Sequence, residues 1–167
     1  MNRRQFGLGL AASLAFSALT PFSSMAQEKF TVAYSNLADS DAWLKTLKDS
    51  FAADAAADGN MDVKFADANG DISRQLDQID NFIAQKVNAI VILPVDYDGI
   101  VPAVEKANEA GIPVICLAIQ SNGGKYYYVG SSHTDAGKLQ GEYMHNALPK
   151  DARIVYLQGT LGLYHSN

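Results

Sequence analysis

Residues 87–121 read VNAIVILPVDYDGIVPAVEKANEAGIPVICLAIQS. Two unbroken apolar runs, Ala89-Ile90-Val91-Ile92-Leu93 and Val114-Ile115-Cys116-Leu117-Ala118-Ile119, stand towards its two ends. Runs of this kind mark strands buried on both faces of a parallel sheet. Between them Ile100, Val101, Val104 and Ala107 recur at helical spacing. Asp96 or Asp98 is placed to cap the start of that helix, Gly111 to stop it in a left-handed conformation, and Pro113 lies just beyond. The stretch is therefore a complete strand–helix–strand unit. Its crossover is right-handed and forces a parallel sheet, and such sheets bind ligands in the loops beyond the carboxyl ends of their strands.

The flanking sequence repeats the unit. Upstream, Phe30-Thr31-Val32-Ala33-Tyr34 reads as a strand, followed by a polar loop at 35–41. Trp43, Leu44, Leu47, Phe51 and Ala55 mark one face of a first helix, which gives out at Asp58-Gly59-Asn60. Met61, Val63 and Phe65 alternate as a second strand. Ile72, Leu76, Ile79, Phe82 and Ile83 form a second amphipathic helix with Asp71 as its cap. Downstream, the turn Ser121-Asn122-Gly123-Gly124 leads to a strand at Tyr126-Tyr127-Tyr128-Val129. A fourth helix follows with Ala136, Leu139, Tyr143 and Met144 facing inward, closed by Pro149. Arg153-Ile154-Val155-Tyr156-Leu157-Gln158-Gly159 reads as a further strand. Strands alternating with helices in this way define an α/β architecture, a doubly wound parallel sheet. The chain stops at Ser166-Asn167, where a parallel strand needs another crossover to be covered, so it reads as truncated.

Composition narrows the function classes. With 48% apolar and 19% charged residues the chain is an ordinary globular protein with one good core. Its formal charge is -5, it has no cluster of Lys or Arg, and nucleic acid is therefore not an expected partner. Cys116 is the only cysteine and lies inside an apolar strand, so it reads as a buried structural thiol with no disulfide and no thiolate metal site. Residues 1–26 look like an export signal: Arg3 and Arg4 precede an apolar run from Gly7 to Leu19, and Ser24-Met25-Ala26 has the small-x-small pattern of a peptidase site. The paired arginines resemble a twin-arginine leader, and a general secretory signal fits as well.

The order of these segments resembles the sugar-binding, ribose-type branch of the periplasmic binding proteins of ABC transporters. The resemblance is carried by the leader and by Phe30-Thr31-Val32-Ala33-Tyr34-Ser35, Asn88-Ala89-Ile90-Val91-Ile92-Leu93-Pro94, Asn108-Glu109-Ala110-Gly111-Ile112-Pro113-Val114, Tyr128-Val129-Gly130-Ser131 and Ala136-Gly137. It implies two similar α/β lobes of the type I fold that close over a ligand. On that pattern residues 1–26 are the signal peptide, 27–148 the complete N-terminal lobe, 149–152 a hinge crossing, and 153–167 the start of a truncated C-terminal lobe. The resemblance implies a periplasmic protein without cofactor or metal. It would capture a sugar or sugar-like solute and deliver it to the membrane permease of an ABC importer; some members also report to a chemoreceptor.

Carried over position by position, the family's ligand contacts fall on Ser35, Asp41 and Trp43 after the first strand, and on Gln120, Ser131 and His133 in the last loops. An aromatic ring stacks on sugar C–H faces, and a carboxylate accepts two hydroxyl protons. The chain also departs from the family. Leu93 stands where an Asn often precedes the proline, Ala118-Ile119 where an Asp-Arg pair is common, and Ser132-His133 where Asp-Asn is typical. Losing an Asp and an Arg removes strong charge-assisted hydrogen bonds, which points to a larger, less polar or differently functionalised solute.

Rival chemistries are weaker. Ser131, Ser132, His133 and Asp135 are adjacent, whereas a catalytic triad assembles from separate elements, and no Gly-x-Ser-x-Gly elbow occurs. Asp39 and Asp41 lack a third ligand nearby for a metal, and Asp41 serves equally as a helix cap. The first loop contains no Gly-x-Gly-x-x-Gly. The alternative kept open is an exported α/β enzyme acting on a carbohydrate-like substrate through His133 and a nearby acid.

Overall fold

A computed structural model describes residues 29–157 and 159. The expected leader lies outside the described residues, as do 158 and 160–167. Strand and helix alternate as far as β4, which β5 follows without a helix between: β1 (Phe30–Asn36), α1 (Ala42–Asp58), β2 (Met61–Asp67), α2 (Ile72–Ala84), β3 (Ala89–Ile92), α3 (Val101–Glu109), β4 (Val114–Leu117), β5 (Tyr127–Val129) and α4 (His133–Ala147). The five strands form one sheet in the order β2-β1-β3-β4-β5, every pair parallel. The doubly wound α/β fold expected from the repeating units is the fold observed.

Alternation along β1 assigns each face its helices. Ala33 points to one side, where Ile90, Ile92, Val114 and Cys116 meet Ile79 and Phe82 of α2 and Ala103, Val104 and Ala107 of α3. Val32 and Tyr34 point to the other, where Ala89, Val91 and Leu93 meet Leu44 of α1, with Leu47 and Phe51 packed alongside. Each fully buried Ile, Val or Leu contributes roughly 1.5–3 kcal/mol of transfer free energy, so these two layers dominate the stability. Cys116 is buried in the first of them and its thiol is pushed up to about 12 by burial, which fits an inert core residue.

Local signals place the helix ends. Asp41 Oδ1 accepts from the backbone N–H groups of Trp43 and Leu44, both at 2.9 Å, and Gly59 ends α1 at φ 74°. Asp71 Oδ1 caps α2 through Ser73 and Arg74 N–H at 2.8 and 3.2 Å. At α3 the expectation needs correction. Asp96 Oδ1 accepts from Asp98 and Gly99 N–H at 3.1 and 2.6 Å and so caps the turn before the helix, while α3 itself begins after Ile100 without a side-chain cap. Asp98 instead accepts from the Asn122 amide at 2.6 Å. Gly111 does take the left-handed conformation, at φ 74°.

Three further expectations differ from the structure. The run from Val114 ends as a strand at Leu117, because Ala118 turns to φ 60°. Ala136, Leu139, Tyr143 and Met144 were expected to face inward, yet α4 buries no residue fully and Leu139 and Tyr143 stand 66% and 74% exposed. Their apolar stripe has no packed partner among the described residues, so amphipathic spacing alone did not bury it. Residues 153–157 form no strand and lie exposed, because no neighbouring backbone pairs with them among the described residues. Ile79→Ala is accordingly expected to lower the unfolding free energy by about 2–5 kcal/mol in urea titration. Leu139→Ala is expected to change it by less than about 0.5 kcal/mol; equal losses from the two would contradict this packing.

Candidate functional site

The parallel register brings the carboxyl ends of all five strands to one edge, with Asn36 opposite Asp67, Ser35 opposite Ile92, and Leu117 opposite Val129. From β1 the chain first moves to β2 on one side, then returns through α2 to β3 on the other. The loops after β1 and β3 therefore diverge, and a crevice opens between them, the place where open α/β sheets take ligands.

The floor of the crevice is built from buried polar groups. Ser35 and Asn36 are both fully buried at the end of β1. Ser35 Oγ accepts from Gln75 Nε2 at 3.2 Å, which places Ser35 below the crevice. Gln75, also fully buried, donates from Nε2 to Leu93 O at 2.9 Å and accepts at Oε1 from Val95 N–H at 2.9 Å. Asn36 Nδ2 donates to Asp39 Oδ1 at 2.6 Å, and Lys48 of α1 donates to Asp39 Oδ2 in a short ion pair. Asp67 Oδ1 accepts from Asp39 N–H at 3.2 Å and Asn69 N–H at 2.9 Å, tying the loop after β2 to that after β1. Sequence reading singled out none of Asn36, Gln75 or Lys48. Gln75 had a signal, being the polar residue on a helical face otherwise lined by Ile72, Leu76 and Ile79.

Two charges shape this floor. Hydrogen bonding from Lys48, with help from Asn36, holds the Asp39 carboxyl below its usual 3.8 against the opposing effect of partial burial. Tyr34, whose ring is tilted against Phe51 and Phe65 at centroid distances of 5.1 and 5.5 Å, has its phenol pushed up to about 12 by burial and by the charge of Asp39. Its hydroxyl and Asn36 Oδ1 have no hydrogen-bond partner among the described residues.

Of the residues expected to meet a ligand, Asp41 and Trp43 stand exposed at the head of α1, Trp43 at 60%. Placed there, Trp43 is not a core residue, although its spacing matched the apolar stripe. Asp41 uses one carboxylate oxygen as the helix cap. Across the crevice, Ala118 sits at φ 60° in a three-residue turn closed by Ile119 N–H to Leu117 O at 2.7 Å. Such a turn is strained for a residue with a Cβ. It persists because the surroundings hold it: Ala118 N–H donates to Val129 O at 2.8 Å, and its carbonyl accepts from Tyr128 Oη at 3.1 Å and faces His133 Nε2 at 3.2 Å. Tyr128 Oη also reaches Ser131 O at 2.9 Å, so Ser131 and His133 are fixed beside the end of β4. Gln120 is half-buried in the adjoining loop. Leu93 and Ile119 are buried, so the departures at those positions remove polar contacts without giving the crevice a new apolar wall. Among the described residues no group of three or more His, Cys, Asp and Glu side chains could hold a metal.

An open groove of about 860 Å³ lies at the opposite edge, where Val114 and Tyr127 begin their strands beside Glu109 and Lys125. It is a broad, open depression, and none of the strand-end residues described above line it.

Comparison with known proteins identifies the family and the fold. The periplasmic binding protein domain family matches residues 32–167. The ribose import binding protein RbsB of Bacillus subtilis is 30% identical over 143 residues, covering 85% of this chain and 47% of that relative. An ABC transporter solute binding protein from Mycobacterium smegmatis with bound glycerol superposes with a TM-score of 0.75 at 29% identity, covering 83% of this chain and 48% of that one. The binding component of the arabinose ABC transporter from Shewanella, bound to arabinofuranose, gives 0.74 at 28%, covering 81% and 46%. The chain thus spans about half the length of these proteins.

Because Asp39 is held below 3.8 in the folded chain, the stability it contributes is present above that value and is lost as pH falls through its lower folded value. Asp39→Asn should melt below wild type at neutral pH, and the gap should narrow once the pH drops under 3.8. A gap that stays constant to lower pH in differential scanning fluorimetry would refute the ion pair's role.

Proposed function

The chain belongs to the periplasmic binding protein domain family, and from that membership we propose that it forms the ligand-holding lobe of a periplasmic receptor for a sugar or sugar-like solute, which it delivers to an ABC importer. The observation that carries this reading is the crevice at the β1/β3 divergence, with a braced polar floor and exposed Trp43 and Asp41 at its rim. Trp43 stacks on the apolar face of the solute, and Asp41, Gln120, Ser131 and His133 meet its hydroxyls, with Ser35 supporting them from beneath. Crevice-side charges are mainly carboxylates, Asp39, Asp41, Asp67 and Asp96, and the nearby Lys48 is already engaged by Asp39. A neutral polyol suits that surface, whereas an anionic sugar would be repelled.

The segment at 149–152, where Ala152 N–H meets Pro149 O at 3.0 Å, is the crossing out of the lobe in this scheme. Residues beyond it begin the second half of the clamshell. The permease is the partner, reached from the periplasm. Capture breaks no bond, and the enzyme alternative is not supported: the relatives are binding proteins, and His133 is engaged through Nε2 with a backbone carbonyl.

Trp43 is the only tryptophan in these 167 residues, so an emission change that disappears in Trp43→Phe reports on the site. Protein made from the complete coding sequence should show a saturable emission change with at least one of D-ribose, L-arabinose, D-allose and xylitol, and return the sugar unaltered. Trp43→Ala should weaken that affinity, measured by calorimetry, by roughly three- to tenfold. Turnover of any of these sugars, or binding by none of them, would count against the proposal.

A further inference from the structure

We propose that Gln75 is a positioning residue for ligand capture, fixing the loops after β1 and β3 relative to each other from beneath the point where they diverge. This rests on the binding function proposed above. Gln75 stands on the buried face of α2, three residues after Ile72 and four before Ile79, where helical periodicity calls for an apolar side chain. A buried amide is costly unless its donors and acceptor are met. Here they are met by Ser35 Oγ, Leu93 O and Val95 N–H.

The amide's orientation is forced by its partners, since Leu93 O can only accept and Val95 N–H can only donate. The location of those partners gives the residue its role. Leu93 N–H makes the last backbone bond between the two strands, to Ser35 O at 3.0 Å. Beyond it the backbones part, and Gln75 continues the connection by joining Ser35 on one side to Leu93 and Val95 on the other. A hydrophobic residue would fill the stripe equally well and leave both loops untied. Polarity at this position therefore serves the crevice above it.

Gln75→Glu keeps the shape and makes the tie depend on protonation. Ionised, the carboxylate sets an acceptor against Leu93 O and loses the donor to Ser35; protonated, it regains one donor and still accepts from Val95. The three partners of Gln75 are a hydroxyl and two backbone groups, so a new pH response belongs to the introduced carboxyl. Hydrogen exchange and D-ribose calorimetry on the complete protein, at about pH 7.5 and about pH 5, test this. At the higher pH the variant's amides at 36–41 and 93–99 should exchange roughly tenfold faster than wild type, with β2 and α3 unchanged, and D-ribose affinity should fall roughly tenfold. Both effects should recede at the lower pH after allowance for intrinsic exchange rates. Wild-type exchange in both loops, equal acceleration of every element, or unchanged D-ribose affinity would overturn the proposal. If D-ribose binds neither protein, that result bears on the choice of solute, and the exchange pattern alone decides the role of Gln75. Ser35→Ala, which releases only the β1 side, should quicken 36–41 and leave 93–99 at wild-type rates; acceleration of neither loop also overturns it.

Discussion

Parallel pairing of β1 between β2 and β3 is the constraint on which the rest of the molecule depends. A parallel neighbour cannot be reached by a hairpin, so crossovers through α1, α2 and α3 join the first four strands. Each crossover packs one apolar face on the sheet, and both faces become covered. The polar consequence matters as much as the apolar one. All strand ends of one sense arrive at one edge, and the two loops leaving the central pair go separate ways. The crevice follows from connectivity, before any particular side chain is placed in it.

What the side chains add is rigidity under that crevice. Ser35, Asn36 and Gln75 are buried polar groups in a lobe whose other buried residues are nearly all apolar. Together with the Asp39–Lys48 pair they brace the loops that present Asp41 and Trp43. The opposite wall is held in another way, by the strained Ala118 turn with Tyr128 and His133 gathered on its carbonyl. Both walls spend hydrogen-bonding capacity inside the protein to leave a few groups exposed. A preformed rim loses less freedom when a solute binds, which is the usual physical advantage of such bracing.

Most of the fold was legible in the sequence because its signals are local. Apolar runs, helical stripes, the caps Asp41 and Asp71, and the left-handed Gly111 each act within a few residues. The errors fell where an element depends on something distant. The stripe on α4 and the run at 153–157 have suitable residues but no packed partner among the described residues, and neither is buried. The site was legible only in part. Trp43 and Asp41 were expected from the family resemblance at the first strand-end loop, and they stand exposed there. Gln75 could not be assigned its role, because its partners lie 18 to 40 residues away and become neighbours only through the sheet order. Asn36, Asp39 and Lys48 form a network for the same reason.

The central claim is that the strand-end crevice, and not the open groove at the other edge, receives a neutral sugar. Backbone amide resonances of the complete, isotopically labelled protein, followed while D-ribose and L-arabinose are added, locate binding directly. The account predicts saturable shifts concentrated at Asp41, Trp43, Gln120, Ser131 and His133, with Val114, Lys125 and Tyr127 unmoved. Shifts centred on those last three residues would contradict it.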